Sequence, residues 1–136
     1  RNNLTERDAE NKIRNLLNYP RIGEKWISET YLYNIVKLLF NEYEIIREAS
    51  PAWLNRQRLD IFIPKLNIAI EYQGKQHYMP VSMFGGEAAL AKTKERDKIK
   101  KELCKKNGVD LLYFKYNEEL TEDRVLKKLS KYLQKP

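Results

Sequence analysis

Apolar positions recur along this chain with two periods, and each period marks out elements. From residue 4 to 17, Leu4, Ala9, Ile13, Leu16 and Leu17 follow helical spacing, and the stretch from Tyr19-Pro20 to Gly23 breaks it. Ser28 is placed to cap a second helix, whose inward stripe is Leu32, Ile35, Val36, Leu39 and Phe40 at i, i+3, i+4, i+7 and i+8. Residues 43–48 predict a short strand, with a loop around Pro51. Residues 58–63 (RLDIFI) and 68–73 (IAIEYQ) carry the clearest strand signal, being rich in β-branched and aromatic residues. Pro64-Lys65-Leu66-Asn67 joins them as a hairpin loop, and Gly74 ends the second strand.

Residues 79–86 predict a loop closed by Gly85-Gly86. A lysine-rich helix follows from about 87 to 106, with Gly108 as its stop signal. VDLLYFKY at 109–116 predicts another strand. The last helix covers about 121–134, with Thr121 as cap and Val125, Leu126, Leu129 and Leu133 inward. The core order is thus αβββαβ, with one extra helix at each end. Three strands suit an antiparallel meander, and the long helix brings the fourth back into the sheet. The predicted class is α/β: one mixed sheet with helices on its faces. All 136 residues form a single domain, divided into a helical extension (1–27), a core (28–116) and a terminal helix (117–136).

Composition narrows the class without changing it. At 42% hydrophobic and 33% charged, the chain reads as an ordinary soluble globular protein. No apolar run has the length of a membrane span, so no membrane partner is expected. The chain opens on Arg1, Asn2 and Asn3 with no initiator Met and no signal peptide, which implies processing or other domains of a longer chain. The lone Cys104 excludes an internal disulfide and points to a reducing, cytoplasmic setting. One Cys and one His cannot build a Cys/His zinc site, so any metal is held mainly by oxygen, as magnesium or manganese is. Lys and Arg number 26 against 19 Asp and Glu, a net charge of +7. This excess favours an anionic partner, nucleic acid first, with a merely soluble basic surface as the other reading.

The hairpin carries the chemistry. If Ile63 faces Ile68, then Asp60 stands opposite Glu71 and Arg58 opposite Gln73. Opposed side chains on one face have Cβ atoms about 4.5–5.5 Å apart. Two facing carboxylates repel unless they share a divalent cation or a proton, or both turn to water in another register. Leu59, Ile61 and Ile63 should share a core face with Ile68, Ile70 and Tyr72, leaving Asp60, Phe62, Ala69, Glu71 and Gln73 on a mixed face. Glu29, three residues before Leu32, rides the inward stripe of its helix and needs a partner there; the helix dipole is the alternative, since Glu29 would stand at the first helical position.

The run RLDIFIPKLNIAIEYQGKQHY resembles the PD-(D/E)XK nucleases, the restriction-endonuclease-like superfamily, and within it the very-short-patch-repair-type branch. The likeness covers residues 28–116 and makes that stretch a nuclease core. It implies that Asp60, Glu71, the backbone carbonyl of Tyr72 and the helix-borne Glu29 hold Mg²⁺ or Mn²⁺, and that Gln73 occupies the place of the usual Lys. Leu59 rather than Pro precedes Asp60. A Gln cannot offset negative charge as an ammonium does. Some members carry Gln there and remain active, and Lys75, Lys94 or Arg96 could supply the charge. His77, six residues past Glu71, has a place in the repair-type relatives as an acid, base or phosphate contact, against the bland reading of a surface residue.

The stretch 92–106 holds eight basic residues and three acids, with Lys94, Lys98, Lys101 and Lys105 on one stripe. That stripe either lies along a phosphate backbone or faces solvent. The expectation is a Mg²⁺-dependent endonuclease acting on nucleic acid, double-stranded DNA favoured through the resemblance. A non-catalytic nucleic-acid-binding module is the alternative, and a homodimer stays open.

Overall fold

A computed structural model of the chain describes residues 24–74, 78 and 86–133. The helix expected over 4–17 and the loop expected over 79–85 lie outside the described residues, as do Lys75 and His77. The elements are α1 (Glu24–Leu39), β1 (Ile46–Ala49), β2 (Leu59–Ile63), β3 (Ile68–Gln73), α2 (Gly86–Lys106), β4 (Asp110–Lys115) and α3 (Glu122–Leu133). The described residues thus form a mixed α/β structure of three helices and one four-stranded sheet, in the order β1-β2-β3-β4. The β1–β2 and β2–β3 pairs are antiparallel and β3–β4 is parallel, so α2 is the crossover that returns the chain to the sheet. Among the described residues, no helix is long and apolar enough to cross a membrane.

Two apolar layers sandwich the sheet. On one face, Leu32, Ile35 and Val36 of α1, Phe40 just past its end, and Val125, Leu129 and Tyr132 of α3 close over Ile61, Ile63, Ile68, Ile70, Tyr72 and Phe114. On the other, Cys104 of α2 meets Ala49, Leu54, Leu59, Ala69 and Val109. Burial pushes the Cys104 thiol up to about 11, Lys100 opposing and Glu71 reinforcing the shift, so it stays protonated at neutral pH and is no nucleophile.

Local signals explain most boundaries. The predicted hairpin loop closes as a single 3-10 turn, Pro64–Leu66, with Asn67 in the left-handed region at φ 54°. Asn adopts that conformation more readily than most residues, which fixes the register between β2 and β3. Gly108, at φ 73°, ends α2. The Val109 N–H donates to the Cys104 carbonyl (2.8 Å) and the Gly108 N–H to the Lys105 carbonyl (3.1 Å), the paired bonds of a Schellman stop. Thr121 caps α3, its Oγ1 accepting from the Arg124 N–H at 3.2 Å.

Four expectations need correction. Helix α1 starts at Glu24, so Ser28 is not its cap and Glu29 sits in its second turn, beyond the reach of the terminal dipole. Strand β1 is shorter and later than 43–48, and Glu48 within it is left-handed at φ 52°. That twist interrupts the alternation of the strand pair: Arg47 and Ile61 are register partners, and so are Ala49 and Leu59. Yet Ile61 packs in the first cluster while Ala49 and Leu59 pack in the second, so Leu59 does not share the face of Ile61 and Ile63. In α3, Tyr132 is buried and Leu126 is exposed, because Val125, Leu129 and Tyr132 fall at i, i+4 and i+7.

One contact orients α1 over β1. The Arg47 guanidinium lies 4.3 Å from the Trp26 ring centroid and 5.1 Å from that of Tyr33, and donates to Thr30 Oγ1 at 2.7 Å. All three partners are on α1. The clamp fixes how Glu29, next to Thr30, approaches the sheet.

Candidate metal and nucleic-acid site

The backbone ladder between β2 and β3 pairs Ile63 with Ile68, Phe62 with Ala69 and Ile61 with Ile70. The ladder ends there, and at Asp60 and Glu71 side chains take over the stitching. The Asp60 N–H donates to Glu71 Oε2 at 2.7 Å, and the Tyr72 N–H donates to Asp60 Oδ2 at 2.8 Å. Each carboxylate therefore accepts from the backbone of the opposite strand. Such charge-assisted bonds are worth about 1.5–3 kcal/mol each. They hold both acids in the seam between the strands.

Glu71 has a second partner that the sequence reading did not name. Lys100 Nζ donates to Glu71 Oε1 at 2.7 Å and to the Arg58 carbonyl at 2.5 Å. The two side chains are only 13% and 8% exposed, so this is a buried ion pair. Lys100 reaches the acid because α2 turns Thr93, Asp97, Lys100 and Cys104 toward the sheet, at spacings of four, three and four. Among the described residues, no buried side-chain nitrogen or oxygen lacks a hydrogen-bond partner.

A pocket of about 470 Å³ opens over this seam. Its lining mixes four acids, Glu29, Glu48, Asp60 and Glu71, with four bases, Arg56, Arg58, Arg96 and Lys100, two of which are paired (Arg58 with Glu48, Lys100 with Glu71); Gln57 and Tyr72 complete it. Glu29 of α1 and Asp60, Glu71 and Tyr72 of the hairpin thus share one pocket. Among the described residues, no group of three or more His, Cys, Asp or Glu is gathered closely enough to hold a metal ion by itself. A full oxygen set therefore needs the two hairpin carboxylates together with backbone carbonyls or water. Three non-glycine residues at positive φ, Glu48, Asn55 and Arg56, lie at or beside the rim. Strain of this kind persists where surrounding structure enforces it.

The other predicted residues divide. Gln73 is buried but is not among the residues that line the pocket. Its Oε1 accepts from the Tyr78 hydroxyl and its Nε2 approaches Asp97 Oδ2 at 3.5 Å, so its amide joins β3 to α2. Lys94, Lys98, Lys101 and Lys105 are all exposed. At 100° per residue, the centre of their stripe falls roughly 170° around the helix from the pocket-lining Arg96. Tyr113, the register partner of Glu71 in β4, has its hydroxyl held far above the ordinary phenol range by burial first, then by Asp97 and Glu71. It stays protonated at working pH and cannot serve as a base.

Missed by the sequence reading were Lys100, Arg56, Arg58 and Asp97. The only sequence cue for Lys100 was its place four residues before the sole Cys; its position seven residues after Thr93 counts only once the structure shows that Thr93 and Cys104 are the buried residues of α2.

No family model matches the chain, and no solved structure matches it. Curated proteins do. Uncharacterized protein 094L of Frog virus 3 (isolate Goorha) is 47% identical over 60 residues, which is 43% of this chain and 39% of that protein. Uncharacterized protein 033L of Invertebrate iridescent virus 3 is 33% identical over 82 residues, 55% of this chain and 42% of that protein. Uncharacterized protein 307L of Invertebrate iridescent virus 6 is 34% identical over 116 residues, 71% of this chain and 54% of that protein. The chain spans about two fifths to just over half the length of these relatives. Over those stretches it is similar to proteins of one frog virus and two invertebrate iridescent viruses.

Proposed function

We propose that this chain is a divalent-metal-dependent nuclease domain of the PD-(D/E)XK, restriction-endonuclease-like kind, hydrolysing phosphodiester bonds in nucleic acid with DNA as the favoured substrate. One observation carries the reading: on adjacent strands, Glu71 accepts from the Asp60 N–H at 2.7 Å and Asp60 accepts from the Tyr72 N–H at 2.8 Å, and both acids line one pocket together with Arg56, Arg58 and Arg96. The element order from α1 to β4, αβββαβ, agrees with the resemblance read from the hairpin.

The residues fit Mg²⁺ or Mn²⁺ by their donor chemistry. Carboxylate and carbonyl oxygens are the hard ligands such ions take, and each carboxylate oxygen has a second lone pair beyond its hydrogen bond. Asp60, Glu71 and the Tyr72 carbonyl would hold the ion, with Glu29 facing it across the pocket. Bound there, a divalent ion lowers the pKa of a coordinated water and draws negative charge off a phosphoryl oxygen. Everything else falls to the protein. Arg56, Arg58 and Arg96 bind the phosphate backbone at the pocket mouth and set the scissile bond over the acids. Lys100 supplies the ammonium that Gln73 cannot. Gln73, with Tyr78 and Asp97, braces α2 against β3.

Arginines bordering the acids make a better phosphate track than the outer lysine stripe, which is centred roughly 100° around α2 from the residues it turns to the sheet. The alternative of a binding module without catalysis draws on Gln73, whose amide is committed to Tyr78 and Asp97.

Supercoiled plasmid separates the two. The nuclease reading expects nicking with Mg²⁺ or Mn²⁺ that stops with a chelator. DNA binding that weakens steeply with salt, but with no nicking under either metal, would leave only the binding module.

A further inference from the structure

Lys100 is a buried cation already seated among oxygens that line the pocket. Its ammonium touches Glu71 Oε1 at 2.7 Å and the Arg58 carbonyl at 2.5 Å. Glu71, through its other oxygen, touches the Asp60 N–H. A carboxylate oxygen and a peptide carbonyl are the ligand types that a hard divalent ion prefers. We propose that Lys100 is the resident counter-ion of this site and that it exchanges with the divalent metal: the ammonium holds Glu71 while no metal is bound, and the metal must displace it to bind. The proposal rests on the metal-site reading above, and adds to it a built-in competitor.

Three features support exchange over a fixed structural ion pair. First, a buried Glu71 cannot stand without positive charge, so a cation belongs there in every state of the site. Second, Lys100 has somewhere to go: it lines a pocket of about 470 Å³, whose other lining residues include the acids Asp60, Glu29 and Glu48. Its stem is flexible, and an ammonium released from Glu71 stays within the pocket, where a phosphate would lie. Third, the lysine sits on α2, where two of the three other inward residues, Thr93 and Asp97, are polar, and the apolar packing of the third, Cys104, lies one turn further on. Metal affinity is then set low by the protein itself, and substrate phosphate, by drawing Lys100 away from Glu71, raises it. Metal and nucleic acid bind as partners, each favouring the other.

The test compares Mn²⁺ binding by calorimetry, and melting temperature with and without Mn²⁺, in the parent protein and in Lys100→Met. We expect Lys100→Met to melt lower than the parent without metal, to regain that loss when Mn²⁺ is added, and to bind Mn²⁺ about ten- to a hundredfold more tightly, the equivalent of one charge-assisted bond removed. Lys100→Arg, which keeps the charge, should bind Mn²⁺ as weakly as the parent. Should Lys100→Met fail to fold, Lys100→Gln is expected to show the same tightening, because it retains a donor for Glu71 without the charge. Equal or weaker Mn²⁺ binding in the neutral variants overturns the exchange. If the parent still nicks plasmid in that case, the nuclease reading stands and only the exchange falls. If neither parent nor variant binds Mn²⁺ and nothing nicks, both fall together.

Discussion

Asp60→Asn is expected to cut Mg²⁺-dependent plasmid nicking at least about a hundredfold while leaving DNA binding and the fold nearly intact. The magnitude follows from comparison: loss of a group that merely orients a metal ligand costs about 10–100-fold, and Asp60 is proposed as a ligand itself. The fold should survive because Asn keeps an oxygen at the place where Asp60 Oδ2 accepts the Tyr72 N–H. What disappears is the negative charge, and with it the grip on a divalent ion. The measurement is initial nicking rate across a Mg²⁺ titration, alongside binding to a short duplex in the presence of chelator. An Asp60→Asn protein that nicks at the parent rate would remove the hairpin carboxylate from the mechanism.

Glu71→Ala strikes stability rather than chemistry alone. It leaves the Lys100 ammonium, 13% exposed, beside an alanine, and strips the Asp60 N–H of its acceptor. An uncompensated buried charge costs about 3–5 kcal/mol, an upper bound here because Lys100 keeps the Arg58 carbonyl and has other acids in the same pocket. For a domain of this size that is a large share of the total. Urea unfolding should therefore show Glu71→Ala near the edge of folding. The double variant Glu71→Ala/Lys100→Met should be markedly more stable than Glu71→Ala alone, since it removes both charges and lets the site close on an apolar stem. A Glu71→Ala loss under about 1 kcal/mol would mean that water already reaches the pair and screens it.

The hairpin was readable in the sequence because two independent local signals agreed. The alternation of Ile61, Ile63, Ile68 and Ile70 assigned the faces, and Asn67, suited to a left-handed turn, fixed the register. The expected opposition of Asp60 and Glu71 followed from those two facts; the backbone pairing itself runs only as far as Ile61 and Ile70. Leu59 escaped the pattern because alternation presumes a regular strand, and Glu48 at φ 52° on the neighbouring strand breaks it. The inward face of α2 was hidden for a different reason. Hydrophobic periodicity finds the buried side of a helix by its apolar residues, but three of the four positions α2 turns to the sheet here are Thr, Asp and Lys. With no apolar stripe to follow, attention goes to the longest run of lysines, and that run lies on the outside. The bond between Lys100 and Glu71 spans 29 residues of sequence. Only the return of the chain through a parallel crossover creates it.

The polarity of that inward stripe has a dynamic consequence. A helix held by an ion pair, a glutamine amide and one buried cysteine has far less apolar area to lose on detaching than α1 or α3, which bury Leu, Ile and Val. Segmental opening should accordingly begin at α2, at a free energy below that of global unfolding. Amide exchange would register this as faster deuterium uptake along 93–104 than along 32–40. The crossover would then act as a hinged cover over the acidic seam, rigid in the resting molecule and the first part to give way.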